Sequence, residues 1–264
     1  MKEAVASKRS RRSVQSVDRA LDLLESLAGA DGEVSITALA GRTSLHVSTV
    51  HRLLATLLRR GYVRQNPDTS RYYVGAKLSA IAEGRSRFGE LRLRARPLLT
   101  AITTDTRETA NLVVLDDVAA VYIDTVPSPQ VVRLFTSVGN RVPLHATGVG
   151  KALLSALPRP RREALLDRLE LRSFTPRTIV ERPALLRALE EVRERGYAID
   201  DEEYDDGVRC VAVSVGPAGA PVAALSISAP ASRLSRQRCT ELAQLLRRAA
   251  ADLQEAMRDR DARS

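Results

Sequence analysis

The sequence predicts an α+β protein of two unequal parts. The first part consists of helices followed by a β-hairpin, and the second of a mainly antiparallel sheet with helices. Apolar residues recur at helical spacing in three successive segments before residue 60, whereas β-branched, strand-like runs dominate after residue 108. A length of 264 residues with 44% hydrophobic residues is sufficient for two domains, each with its own core.

The composition favours a polyanionic partner and a reducing compartment. The chain has 41 Lys+Arg against 32 Asp+Glu, a net charge of +9, which either suits nucleic acid or reflects an Arg-rich genome. Its two cysteines, Cys210 and Cys239, are too few for a disulfide framework or a metal cluster. We therefore expect a cytoplasmic protein with no metal and no cofactor.

Neither a targeting signal nor a membrane anchor is expected. The basic residues 1–12 lack the apolar core of a secretory signal, and no run of about 18 apolar residues follows. Residues 1–12 are predicted to form a disordered arm, which either contacts DNA phosphate or is a solvated tail.

Two helices are predicted at the N-terminus. The first has apolar residues at helical spacing: Val14, Val17, Ala20, Leu21, Leu24 and Leu27. The segment Gly29 to Gly32 ends it, and Ser35 is suited to cap a short second helix.

A third helix and a hairpin complete the first domain. After a turn at 42–44, the third helix begins near Leu45 and is expected to bury Val47, Val50, Leu53, Leu54, Leu57 and Leu58. Residues 62–65 and 71–74 alternate as strands around the turn 66–70. This order is that of a winged helix-turn-helix, and the hairpin distinguishes it from a plain three-helix bundle.

The third helix and the hairpin are the predicted DNA-reading elements. A recognition helix enters the major groove with its N-terminal residues forward, and basic residues of a wing follow the backbone. The expected contacts come from Ser44, His46, Ser48, Thr49, Arg52, Arg64 and Arg71. His51 is favoured as a packing or phosphate residue over a metal ligand, and Tyr72 and Tyr73 as wing core over base-stacking groups.

The second part alternates short strands and helices. Residues 76–87 predict a connector helix and 91–106 a second one, with a kink or restart near Pro97. Strands are predicted at 110–115, 119–125, 131–135, 142–145, 197–200, 210–215 and 222–228. Helices are predicted at 148–157, 161–169, 183–195 and 235–258. The expected division is an arm (1–12), a winged helix-turn-helix (13–75), a linker helix (76–89), an α+β domain (90–258) and a tail (259–264).

Several motifs in succession resemble the IclR family of transcriptional regulators. They include Ser13–Leu21, Ser48–Leu54, Pro143–Ala152, Arg195–Glu203 and Pro221–Ser228. The resemblance covers nearly all of residues 13–258. It implies a winged helix-turn-helix joined by a linker helix to a GAF-like effector domain. It also implies homodimers, often paired into tetramers, on palindromic or repeated operators, with the first helices in dimer contact. Repression is favoured over activation.

The resemblance further implies an effector site. Its members are Gly148, Val149, Asp200, Cys210, Ser226 and Ser228, with Leu134 in the wall. A glycine loop opening a helix suits an anion, and hydroxyls two residues apart on a strand share a face, so we hypothesise a small carboxylate or oxo-acid. Alternatively, the serines face solvent, Cys210 is a small buried residue, Asp200 belongs to a solvated acidic run, and the loop is only a turn.

Two other functions remain as alternatives. An enzyme using His145, Cys210, Ser226 and Asp200 is disfavoured, because the sequence contains no G-x-S-x-G elbow, P-loop or H-E-x-x-H motif. No catalytic residues are therefore assigned. The second alternative is a DNA-binding protein whose C-terminal domain only oligomerises.

Overall fold

The computed structural model describes residues 14–30, 32–83, 88–217 and 219–261. The chain divides into two compact units, residues 1–87 and residues 88–264. The predicted arm (1–12), residues 84–87 of the predicted linker helix and residues 262–264 of the predicted tail lie outside the described residues.

The first unit has the order of a winged helix-turn-helix. Its elements are α1 (Gln15–Ala28), α2 (Ile36–Thr43), α3 (Val47–Arg59), β1 (Val63–Gln65), β2 (Tyr72–Val74) and α4 (Ala76–Glu83). The predicted cap is present, since the Ser35 hydroxyl accepts a hydrogen bond from Ala38 N at 3.2 Å. Val34 bridges Tyr72 of β2, which ties the hairpin to the segment before α2.

The predicted first helix is present as α1, and its apolar residues divide into a buried and an exposed set. Leu23 and Leu27 point into the core, whereas Val14, Val17 and Leu21 are 63%, 54% and 49% exposed. The helix carries two apolar stripes, and spacing alone does not determine which of them meets α2 and α3.

The predicted start of α3 also needs correction. The helix begins at Val47, because His46 is extended (φ −66°, ψ 140°) and caps it, so Leu45 and His46 precede the first turn. Val47, expected in the core, is 40% exposed at the helix start.

The second unit is a six-stranded antiparallel sheet with helices on both faces. Its helices are α5 (Gly89–Thr106), α6 (Gly148–Ala156), α7 (Arg159–Leu166), α8 (Arg182–Arg195) and α9 (Arg236–Asp261). Its strands are β3 (Thr109–Asp116), β4 (Ala119–Val126), β5 (Arg141–Pro143), β6 (Ala198–Asp201), β7 (Val208–Val215) and β8 (Ala223–Pro230). The strand order is β5-β4-β3-β8-β7-β6, and every pairing is antiparallel, as predicted.

Two cores lie on opposite faces of this sheet. Apolar residues of α5 and α9 pack with one set of strand residues, including Leu112 and Leu225. Apolar residues of α6 to α8 pack with the other set, including Val113 and Ala224. The alternation of strand side chains between faces supplies both sets from the same strands.

One predicted strand is absent, and one helix is longer than expected. Residues 131–135 form no strand, and Val131 and Phe135 are 97% and 87% exposed. The strand predicted at 142–145 is present as the shorter β5, which pairs with β4, so β-branched content was misleading only at 131–135. Helix α9 continues to Asp261, past the predicted end at 258. Pro97 lies inside α5, which continues on both sides of it.

No helix in the described ranges combines the length and the apolar character that crossing a bilayer requires.

Candidate functional site

Three predicted DNA contacts, Ser44, His46 and Ser48, organise the entry to α3. Ser44 ends α2 in the left-handed conformation (φ 53°), which turns the chain towards α3. His46 Nδ1 lies 2.8 Å from Ser48 Oγ and accepts from Ser48 N at 3.4 Å. Both side chains are exposed, so they hold the helix start while facing solvent.

The rest of the predicted DNA set is also on the surface. Arg52, Arg64 and Arg71 are exposed, and Thr49 is half-buried. Thr49 and Arg52 line a groove of about 280 Å³ together with residues of α1: Gln15, Ser16 and Arg19. An exposed helix start can enter a DNA groove, and an exposed basic hairpin can contact the phosphates. Both features lie on one compact unit here.

The turn of the wing is held by a residue that sequence reasoning missed. Glu33 accepts hydrogen bonds from Asn66 Nδ2 at 2.6 Å and from Thr69 Oγ1 at 2.7 Å. These bonds hold the pKa of Glu33 below its usual range. The hairpin that carries Arg64 and Arg71 is thereby fixed to the segment before α2.

The second unit encloses a cavity of about 460 Å³ that brings together all seven predicted effector residues. We call it the ligand cavity. Leu134, Gly148, Val149, Asp200, Cys210, Ser226 and Ser228 all line it. Sequence reasoning missed the other lining residues: Tyr122, Phe135, Thr136, Asn140, Arg141, Val142, Thr147, Tyr204, Asp205 and Val208.

Strand register explains how distant residues meet in the ligand cavity. Asp200, Cys210 and Ser228 are direct cross-strand partners on β6, β7 and β8. Cys210 Sγ lies 3.0 Å from Ser228 Oγ, and burial raises the pKa of the thiol, which keeps it neutral. Ser226 and Ser228 are 1% and 2% exposed, so the alternative that they face solvent is wrong.

The glycine loop forms the part of the wall next to Asp200 and Cys210, at the N-terminus of α6. Thr147 caps the helix: its hydroxyl accepts from Gly150 N at 3.2 Å and donates to Pro143 O at 2.7 Å. The first N–H groups of a helix have no acceptor within it, and here the residues that carry them, Gly148 and Val149, line the cavity. The wall therefore has the chemistry that anions prefer.

Asp200 makes the cavity sensitive to protonation. It is 2% exposed, and its burial raises its pKa to about 7. Behind it, Lys151 and Glu203 form an ion pair in which Lys151 is 3% exposed and Glu203 7% exposed. Glu203 N also donates to Asp200 Oδ1 at 2.8 Å. A neutral Asp200 can donate a hydrogen bond to a ligand, whereas an ionised one repels an anion.

The four residues considered for the alternative enzyme function do not all line one site. Asp200, Cys210 and Ser226 line the ligand cavity, but His145 does not. His145 Nε2 is engaged with Arg172 O at 2.9 Å, and burial lowers its pKa.

A larger cavity, about 880 Å³, lies between α6, α7 and α8 and contains none of the predicted effector residues. Arg159 pairs with Glu163 and Arg193 with Glu190, whereas the buried Nε of Arg162 in the same lining has no hydrogen-bond partner. The ligand cavity is the better candidate site because it brings together all seven predicted effector residues.

A winged helix-turn-helix unit and a second unit with a buried polar cavity define the class of ligand-responsive transcription factors. Residues 16–67 match the IclR helix-turn-helix domain, and residues 88–255 match the C-terminal domain of bacterial IclR transcriptional regulators. The chain belongs to the IclR family, whose members are transcriptional regulators rather than enzymes.

Relatives and solved structures agree with this assignment. The acetate operon repressor of Salmonella typhimurium is 40% identical over 91% of this chain and 89% of its own length. The transcriptional repressor IclR of Escherichia coli is 36% identical over 96% of this chain and 93% of its own. The crystal structure of Thermotoga maritima IclR is 31% identical with a TM-score of 0.76, covering 92% of this chain and 98% of that one.

Proposed function

We propose that this protein is a cytoplasmic repressor whose operator affinity is controlled by a small carboxylate or oxo-acid bound in the ligand cavity. The observation that carries the proposal is the convergence of two buried serine hydroxyls and the N-terminus of α6 on one cavity of about 460 Å³. Hydrogen-bond donors converging in an enclosed space suit a small acceptor-rich ligand.

The charge of Asp200 is compatible with an anionic ligand. Because its pKa is about 7, the side chain is partly protonated at neutral pH and can donate to a bound carboxylate.

The proposed DNA contacts are Ser44, His46, Ser48, Thr49, Arg52, Arg64 and Arg71. The operator is a palindromic or repeated duplex read by a homodimer, with tetramers formed from paired dimers. Support for the dimer comes from Val14, Val17 and Leu21, which form an exposed apolar stripe along α1. A stripe of this kind is suited to pack against the same helix of a second copy.

Gel-shift titration tests the DNA-binding part. We expect the protein to shift the intergenic DNA upstream of its own gene at physiological salt, in the presence of excess competitor. Arg52→Ala should weaken this binding about tenfold or more, because an arginine on a recognition helix contributes a base or phosphate contact. Arg238→Ala removes an equal charge from the second unit and should leave the affinity unchanged. Equal losses in both variants would contradict the role of Arg52.

The effector part is tested on the same complex. Small carboxylates and oxo-acids should release the shift, whereas Ser226→Ala combined with Ser228→Ala should blunt the release and retain basal DNA binding. If no acid in such a panel binds by calorimetry while an uncharged aromatic binds tightly, the ligand class is wrong. If no ligand changes either the shift or the melting temperature, the second unit serves oligomerisation alone.

A further inference from the structure

A buried asparagine lies directly behind the two serines of the ligand cavity. Asn111 is 0% exposed and is centred on β3, opposite Thr125 of β4 and Ser226 of β8 in the strand register. Its side chain donates from Nδ2 to Ser226 Oγ at 3.2 Å and to Ser228 Oγ at 3.3 Å. A polar side chain this deep in a sheet requires partners, and this one has them on both neighbouring strands.

The acceptor side of the same amide is also fully used. Asn111 Oδ1 accepts from Thr125 Oγ1 at 2.9 Å and from Thr136 Oγ1 at 3.0 Å. The amide therefore uses both N–H hydrogens and both lone-pair positions of its oxygen. Thr125 Oγ1 also lies 3.0 Å from Thr136 Oγ1, in the same cluster. Because all four partners of the amide are hydroxyls, it is the orientation of the amide, with Nδ2 towards the serines, that sets the direction of each bond.

The direction of these bonds determines where the serine hydrogens point. An amide NH₂ group only donates, so both serine oxygens are acceptors towards Asn111. Ser228 Oγ also accepts from the neutral thiol of Cys210 at 3.0 Å. With these bonds accepted, each hydroxyl hydrogen is available to a ligand in the cavity that both serines line.

We propose that Asn111 is a positioning residue that sets the hydrogen-bond polarity of the ligand cavity. By donating to Ser226 and Ser228, it turns both hydroxyl hydrogens towards the ligand. The cavity thus selects a group that only accepts hydrogen bonds, such as a carboxylate, over an amide of the same shape. This inference rests on the proposed function, because it explains how that function obtains its ligand class.

The test compares acids with their amides on the full chain. The probes are acetate, pyruvate and benzoate, each titrated by calorimetry alongside acetamide, pyruvamide or benzamide. Asn111→Asp keeps the shape but replaces the donor with acceptor oxygens, which draw the serine hydrogens away from the cavity. We expect the acid-over-amide preference to fall about tenfold or more in this variant, because two donors to a charged group are lost.

A matched control and a second variant separate polarity from folding. Thr125→Val removes a donor to Asn111 Oδ1 but leaves both serine bonds, so the preference for acids should persist. Asn111→Ser, measured in parallel, removes the amide without adding a charge that repels an acid, and it carries the test alone if Asn111→Asp does not fold, as judged by its melting curve. It should then reduce the preference, because the serine hydroxyls become free to rotate.

The outcomes distinguish this inference from the proposed function. An undiminished acid preference in both Asn111 variants overturns the role of Asn111 and leaves the effector function intact. A wild-type protein that prefers amides overturns the polarity argument while retaining a ligand site. A wild-type protein that binds none of the six probes overturns the proposed ligand class and this inference together.

Discussion

Two glycines of the α6 loop should respond in opposite ways to the same added methyl group. A Cβ on Gly150 would lie 2.4 Å from Leu144 Cα, 2.4 Å from its carbonyl oxygen and 2.6 Å from its carbonyl carbon. These are backbone atoms, so no side-chain rotation relieves the overlap. A Cβ on Gly148 would have its closest neighbour, Asp200 N, at 3.4 Å, which is an ordinary contact.

The expected cost of Gly150→Ala follows from this overlap. Overpacking of a core costs about 1–3 kcal/mol, and the upper end applies because backbone must move. For a domain of this size, about 3 kcal/mol lowers the melting temperature by about 6–12 °C. Gly148→Ala should melt within about 2 °C of the wild type, because its methyl fits. Since Gly148 lines the ligand cavity, that variant should instead weaken effector binding.

Thermal unfolding followed by circular dichroism measures the first effect, and calorimetric titration of pyruvate measures the second. The reasoning is refuted if Gly150→Ala melts within about 2 °C of the wild type. It is also refuted if Gly148→Ala is the less stable of the pair. In either case the approach of α6 to Leu144 would not require a glycine.

Three further changes test the polar interior. Because burial raises the pKa of Asp200 to about 7, native stability should fall as pH rises from about 4 to 7. Asp200→Asn should remove this loss. In urea titrations, the free energy of unfolding of the variant relative to that of the wild type should therefore rise by on the order of 3 kcal/mol between pH 5 and pH 8. Lys151→Met should lower the free energy of unfolding by about 3–5 kcal/mol in the same assay, because it leaves the buried charge of Glu203 unpaired. Adding Glu203→Gln removes that charge and should restore part of the lost stability. Arg96→Ala should retain effector affinity in calorimetry but weaken the effector's action in the gel shift, whereas Arg94→Ala should change neither.

Much of the fold was predictable because local signals agree with tertiary packing. The Ser35 cap, the hairpin around Asn66 and the antiparallel pairing of β3 with β4 all follow from residues near one another in sequence. Local signals do not determine which apolar residues of a helix are buried. On α1, two apolar stripes satisfy the same period, and only contact with α2 and α3 identifies Leu23 as core.

The residues of the ligand cavity were predictable in part. Six of the seven predicted members lie within recognisable family motifs, whereas Leu134 lies outside them. Asn111 was missed, although a polar residue inside the apolar run 110–115 is itself a signal that a buried partner exists. Thr136 was missed for a different reason: it lies in an irregular segment whose position depends on the sheet beneath it.

The Arg96 prediction rests on how strand β4 connects the two faces of the sheet. On the cavity side, the Thr125 hydroxyl donates to Asn111, which holds the serines. On the other side, Arg96 of α5 donates to Thr125 O at 3.0 Å and to Asp124 Oδ1 at 2.7 Å. A shift of β4 on ligand binding would therefore reach α5, the first helix of the second unit, through bonds that the Arg96 side chain makes. Arg94 pairs instead with Glu90 on the same helix, so its loss leaves this route intact. If Arg96→Ala responds to the effector as the wild type does, the coupling does not pass through Arg96, and packing of α5 on the sheet must carry it.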